Sequence, residues 1–350
     1  MQTDMEMHVS RVKTRRQIIR TVTLLIILGL AVHFLLPFFK SFRQSFQIIS
    51  HMDLRFIIIA VVALTISYLG VGYCLHSLAR IYHRKLSVFR GSIIFMAAAS
   101  IGLVAGGTFG TIYAIARWTH KEGMDLRIAS VLGILPSYLN TAFIAFLSLF
   151  SVSHLLLIDQ LSGIELAIFL VTLVLLLAVI SVMIWAIQHQ EIFLARIHAI
   201  AIWFRRRFHQ SDKSEISIDK MRRSFLAMAE LRNGKWHLPV IGALIYVIFD
   251  NITLYLVFWA AHQPISILKV FTGYGLPLLM GKAAFILPGG LGIVEASMAG
   301  IFASFGVPSS SAFAVVLVYR FMSFWATTIL GFVLMVYLAN TSNNGQITAE

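Results

Sequence analysis

The sequence predicts an all-α polytopic membrane protein with about six full spans and two glycine-broken re-entrant hairpins arranged as an inverted repeat. Both termini are expected in the cytoplasm. Three observations carry this. The chain is 59% hydrophobic and 12% charged, with a mean hydropathy of +0.85, whereas a soluble domain is nearer a quarter charged. Several nearly uncharged stretches exceed 18 residues, enough to cross a hydrocarbon core of about 30 Å as a helix, and they lack the short alternating segments of a barrel. Finally, two apolar segments are interrupted by glycine and resemble each other.

In chain order, the first span lies near 17–39. It follows Arg11, Lys13, Arg15, Arg16 and Arg20 and has no small-residue cleavage site after it, so it reads as a retained helix. A second span lies near 55–79, and a glycine-interrupted segment follows at about 88–116. Spans near 128–151 and 164–187 lead to a loop at 188–236 with ten Lys and Arg. A span near 237–261, the second interrupted segment at 268–306 and a span near 311–338 complete the chain.

Basic residues collect on the cytoplasmic side of a membrane. The N-terminus, the loop carrying Arg80, Arg84, Lys85 and Arg90, and the loop 188–236 share one side only if 88–116 enters and returns. That arrangement places 22 of the 28 Lys and Arg inside, with Lys40, Arg43 and Arg55 outside and Lys269, Lys282 and Arg320 in membrane segments. The segment 268–306 starts from the opposite side and is read as a second re-entry. The whole of 1–350 is one transmembrane domain, with repeat 1 at about 55–151, repeat 2 at about 237–338 and the cytoplasmic basic loop between them. Within that loop, 191–209 mixes isoleucine and phenylalanine with arginine and reads either as a helix on the anionic leaflet or as an extension of the preceding span.

The net charge of +13 would point a soluble protein toward nucleic acid. Here it is spent on loop retention and anionic lipid, and no nucleic-acid partner is expected. Cys74 is the single cysteine, which excludes an internal disulfide. His33, His76 and His154 are scattered without ligand spacing and read as packing groups, so neither metal nor cofactor is expected.

The two interrupted segments align. Gly107 and Gly110 fall on Gly289 and Gly292, Gly123 on Gly306, and Ala129 on Ala312. Each copy reads as a glycine break, a short helix, a glycine turn and a span. Irregular backbone survives in a bilayer only when buried in protein or lining a wet cavity. Glycine permits left-handed turns and Pro288 cannot continue a helix, so Pro288, Gly289, Gly290 and Gly292 mark a break, and a helix starting there offers free N–H groups to an anion. Tight helix packing by small residues is the alternative.

Two acids lie well inside apolar segments, Asp250 and Glu295, beside the bases Lys269, Lys282 and Arg320. A mid-bilayer charge costs a few kcal/mol or more. Lys269 sits near a segment end and snorkels. Arg320 is roughly 14 Å into its span and about one short helix and a turn after Glu295, so these two are natural partners. Asp250 is placed to accept from Lys282 or Tyr246. The set reads either as ion pairs joining helices or as a polar path for a headgroup or coupling ion.

The stretches PGGLGIVEA (288–296), FGVP (305–308) and AVVLVYRF (314–321) resemble the lysylphosphatidylglycerol synthase transmembrane-region family, and the span pattern extends the resemblance over most of the chain. Members that resemble this chain move or handle lipids: aminoacylated phosphatidylglycerol, hopanoids or polyprenyl-linked sugars. The resemblance carries over to Pro288, Gly289, Gly290, Gly292, Glu295 and Arg320. Repeat 1 departs from it, with Tyr113 where a charge is common. The aminoacyl-transferase domain has no counterpart before the last residue, Glu350, so lipid aminoacylation by this chain alone is not expected.

The reading is a lipid translocator of flippase or scramblase type. It would pass an anionic or glycolipid headgroup through a central cavity between the hairpins, in a cell membrane such as the bacterial inner membrane. Its partners are membrane lipids, and association with further copies of the chain stays open. A small-solute or ion-coupled transporter is the alternative. A lipid-modifying enzyme is third, since the chain has no Asp-x-Asp pair and no P-loop, and no catalytic residue is assigned.

Overall fold

The computed structural model describes residues 39–104, 107–157, 236–283 and 288–347, with single helical positions at 170, 174, 181, 185 and 192. The expected spans at 17–39 (save its last residue) and 164–187, almost all of the loop 188–236 with its helix 191–209, His33 and the N-terminal arginines lie outside the described residues.

Every regular element among the described residues is helical. The order is α1 (Phe39–Ser50), α2 (Leu54–Ile81), α3 (Val88–Val104), α4 (Thr108–Lys121), α5 (Leu126–Leu157), α6 (His237–Ala260), α7 (Ile267–Ala283), a 3-10 turn at Pro288–Gly290, α8 (Ile293–Ser304), α9 (Ser309–Arg320), a π-helical segment Phe321–Ala326 and α10 (Thr327–Ile347). Among the described residues four stretches are long and apolar enough to cross a bilayer: α2, α5, α6 and Ser309–Thr341, which joins α9 to α10. The chain is an integral membrane protein.

One helix departs from the sequence reading. Residues 40–54 were expected to connect two spans, yet most of them form α1. Ile48 of this helix packs against the hydrophobic core. Ser45 Oγ donates to Ser310 O at 3.0 Å, seating α1 on the start of α9.

The molecule is organised around α2 and α6. Asp53 caps α2 by accepting from Arg55 N, and its own N–H donates to Ala260 O at 2.9 Å, the end of α6. Further along, Thr253 Oγ1 donates to Ala60 O at 3.5 Å and Ser67 Oγ to Tyr246 O at 2.8 Å. Gly242 then lies against Cys74 and Gly70. Residue numbers rise along α2 as they fall along α6, so these helices run antiparallel. A Cβ on Gly242 would stand 2.6 Å from Cys74 N; the small residues let the backbones meet, which is how helices associate in lipid.

The order span, short helix, short helix, span occurs twice, as α2–α3–α4–α5 and as α6–α7–α8–α9/α10. The turns match bond for bond. After α2, His83 has φ 55° and Arg84 N donates to Ala79 O; after α6, His262 has φ 55° and Gln263 N donates to Phe258 O. These are Schellman closures with histidine in the left-handed place. Ser87 Oγ then accepts from Arg90 N, and Ser266 Oγ from Lys269 N, capping α3 and α7. Gly123 (φ 86°) and Gly306 (φ 89°) turn α4 into α5 and α8 into α9. Packing is crosswise: Gly331 of α10 admits Met96 and Ser100 of α3, while Gly275 of α7 admits Leu147 and Ser148 of α5.

Candidate functional site

The second break is built from three left-handed glycines. Gly289 (φ 65°), Gly290 (φ 66°) and Gly292 (φ 83°) carry the chain from α7 into α8. A side chain at Gly289 would strike the ring of Phe324, and one at Gly290 would stand 2.6 Å from Gly281 Cα of α7. The break is therefore pressed between α7 and the π-helical segment. At Gly290 the packing alternative applies: its missing side chain makes room for a neighbouring backbone.

Glu295 is the third residue of α8. Its Oε2 accepts from Gly292 N–H at 2.7 Å, and its Oε1 accepts from Arg320 Nε at 2.6 Å. Arg320 Nη2 donates to Gly289 O at 2.9 Å, and its guanidinium carbon lies 4.4 Å from the centre of the Phe324 ring. The two charged side chains are 9% and 7% exposed. One of the N–H groups expected to be free at the start of α8, that of Gly292, is thus taken by the helix's own carboxylate, which bridges helix terminus, break and arginine. Asp and Glu near a helix N-terminus are favoured by its dipole, so the local sequence holds Glu295 here even without Arg320.

The π-helical segment begins one residue after Arg320. It widens the turn, as π-bulges do, and sets Phe324 under the guanidinium. Ser323 O accepts from Tyr68 Oη of α2 at 3.2 Å and from Thr327 Oγ1 at 2.8 Å.

Asp250 of α6 is also buried, but its partners differ from those expected. Its Oδ2 accepts from Tyr274 Oη of α7 at 2.6 Å and from Tyr319 Oη of α9 at 2.9 Å. Tyr246 lies one turn before Asp250 on the same helix and instead accepts through its carbonyl from Ser67. Lys282 is exposed at the end of α7. The correction has a simple reason. A phenol can give a buried carboxylate a hydrogen bond without bringing a second desolvated charge, and tyrosine hydroxyls find partners when buried.

The sequence candidates thus divide. Glu295, Arg320, Gly289, Gly290 and Gly292 come together, with Pro288 opening the 3-10 turn, and Asp250 is joined to them through the Tyr319–Arg320 step. Gly107 and Gly110 do not join them. Gly107 starts α4 with φ 62° and open space where a side chain would point, and Gly110 is buried inside α4. Among the described residues the first break carries no charged pair: Thr111 Oγ1 donates to Gly107 O at 3.3 Å, and Phe109 and Tyr113 are exposed.

Sequence reasoning missed Phe324, Tyr274 and Tyr319. The four-residue spacing of Arg320 and Phe324 was a usable signal, since such pairs share a helix face; nothing local marks the other two. Elsewhere, Lys269 Nζ donates to Phe305 O at 3.3 Å, and His154 Nδ1 lies 3.0 Å from Thr272 Oγ1 with its ring stacked on Phe150. Among the described residues no three of His, Cys, Asp and Glu come together as a metal site. Two surface clefts, of about 330 and 210 Å3, lie at the end of the molecule formed by 261–266 and 305–310, and neither is lined by Glu295 or Arg320.

Comparison with known proteins adds to this geometry. A family model described as the lysylphosphatidylglycerol synthase TM region matches residues 26–331. A UPF0104 membrane protein of Pyrococcus horikoshii is 24% identical over 335 residues, covering 89% of this chain and 96% of the relative. Another, of Methanothermobacter thermautotrophicus, is 42% identical over 89 residues, about a quarter of each chain. A third, of Methanocaldococcus jannaschii, is 30% identical over 122 residues, 35% of this chain and 36% of the relative.

Proposed function

The chain belongs to the lysylphosphatidylglycerol synthase TM region family, to which the UPF0104 membrane proteins also belong, and from that premise we propose that it translocates a lipid with an anionic headgroup. The observation that carries the proposal is the buried Glu295–Arg320 pair, locked across a glycine break that needs three left-handed residues. Removing one member of such a pair strands the other charge. A ligand that takes the place of one member keeps the other paired, so that only the displaced charge needs new partners. A lipid phosphate takes the place of the Glu295 carboxylate on Arg320, whose planar fork suits phosphate oxygens. Glu295 then releases Gly292 N–H, which joins the binding of the anion at the start of α8. The break and Phe324 move with it, so occupancy is linked to the shape of the hairpin.

The inverted repeat supports the same reading. Antiparallel α2 and α6, matched turns after each, and crosswise packing of α3 on α10 and α7 on α5 are what two inverted copies produce. The repeats are about 55–151 and 237–338, the hairpins α3–α4 and α7–α8 enter from opposite sides, and both termini are cytoplasmic. Inverted repeats with broken helices at mid-membrane suit alternating access. The buried pair is then the closed state, and no covalent step is involved. The setting is a cell membrane, with lipids as partners.

The test is reconstitution into liposomes with headgroup-labelled phosphatidylglycerol, reading the fraction of label that an external quencher destroys. Wild-type protein is expected to expose inner-leaflet label faster than empty liposomes, with Glu295→Gln and Arg320→Gln near the empty rate. No acceleration by the wild type would sink the proposal. Uptake of a soluble anion without movement of lipid label would replace it with a solute transporter.

A further inference from the structure

Asp250 has no ion-pair partner of its own among the described residues. Among the described residues the buried Asp, Glu, Lys and Arg are Asp250, Glu295 and Arg320; the last two neutralise each other, and Asp250 remains. Among the described residues the titratable and charged groups that face it are phenols or members of the pair. These are Tyr246 on its own helix, Tyr68 on α2, Tyr274 on α7, and Tyr319 and Arg320 on α9, with Glu295 of α8 beyond the arginine.

The fold does not need a carboxylate at this position. Val71 stands in α2 twelve residues before the His83 turn, as Asp250 stands in α6 twelve before the His262 turn, and Val71 is buried at 3% exposure. An apolar residue therefore satisfies the corresponding place in the other half. A buried ionised carboxylate held by hydrogen bonds but by no ion pair of its own is costly, and binding a cation relieves that cost.

We propose that Asp250 is the proton-binding site of the translocation cycle, so that one proton crosses with each lipid anion; this rests on the translocator reading above. A proton fits the geometry better than a metal ion. Metal cations need several oxygens turned toward them, whereas the two tyrosine hydroxyls turn hydrogens toward Oδ2. The proton arrives from water on one side, bonds to an Asp250 carboxylate oxygen, and leaves to water on the other; no other bond changes. While Asp250 is ionised, the site already holds two negative groups against one arginine, and a phosphate would add a third. Proton and anion together add no net charge to the site, so protonation allows Arg320 to exchange Glu295 for the anion. Tyr319 carries the link, because it binds Asp250 and precedes Arg320 in the chain.

Two measurements test this. Infrared difference spectra of wild-type protein across a pH titration should show the C=O stretch of a buried protonated carboxyl, missing in Asp250→Asn; a spectrum unchanged by that substitution overturns the proposal. In liposomes with the membrane voltage clamped, one pH unit across the bilayer should drive labelled phosphatidylglycerol into the leaflet toward which protons run downhill. The ratio reaches up to about tenfold for one proton per lipid, and Asp250→Asn should show no accumulation. Wild-type movement that ignores the pH gradient, or that follows a sodium gradient instead, overturns the proton site while leaving lipid translocation intact. No lipid movement at all sinks the translocator reading, and the infrared result then decides the proton site alone.

Discussion

Gly289 meets two demands at once, a left-handed backbone and the approach of an aromatic ring. Its φ of 65° costs an L-residue about 1–2 kcal/mol, and a Cβ would also enter the Phe324 ring. Gly289→Ala is therefore expected to lower stability by more than the backbone strain, and adding Phe324→Ala should recover the steric part. Thermal unfolding in nanodiscs measures the cycle, and additive single effects would show that the contact carries no energy. For the ion pair, Glu295→Gln or Arg320→Gln should each cost about 3–5 kcal/mol, the usual effect of leaving one buried charge alone. The charge swap, Glu295→Arg with Arg320→Glu, should recover only part of this. It restores opposite charges but sets a cation at the N-terminus of α8, against the helix dipole, and removes the acceptor for Gly292 N–H. A swap with full stability and full lipid movement would reduce the pair to a helix tie.

At the scale of elements, the second break is a packing joint as well as a candidate site. Gly281 and Gly290 let α7 and the turn touch, so Gly290→Leu should push the turn away from α7 and loosen the Glu295–Arg320 bridge above it. The expected outcome is an inserted protein without lipid movement, and faster proteolysis or cysteine labelling around 286–292 than in wild type. Wild-type transport by this variant would separate the turn from function. The first break has no comparable joint, since the space beside Gly107 is open. Gly107→Ala should therefore cost only the strain of φ 62°, about 1–2 kcal/mol, again read by thermal unfolding.

At the scale of the molecule, the antiparallel pair α2 and α6 fixes how the halves relate. If the second half is inverted, the ends of α4 and α6 open on opposite sides of the membrane. Single cysteines at positions 121 and 262 should then label from opposite faces with an impermeant reagent. The native Cys74 is fully buried and gives a low background. Labelling from one face would remove the inverted arrangement and with it the alternating-access reading.

Hydrophobicity, period and punctuation are local properties, and the sequence alone was enough to read what depends on them. Apolar length marked the four described spans, glycine and proline marked the break at 288–292, and two opposite charges in oil pointed to each other, because lipid leaves a charge few other options. The partners of Asp250 were beyond that kind of reading. Tyr274 and Tyr319 lie 24 and 69 residues away, on α7 and α9, which only the packing of the helices brings against α6. The same holds for Gly290, for which local chemistry leaves cavity and packing both open and the fold sets it against Gly281. Only the tertiary structure could decide these, because a side chain's neighbours across a helix bundle depend on how close the backbones come, and that is a sum over contacts distant in the chain.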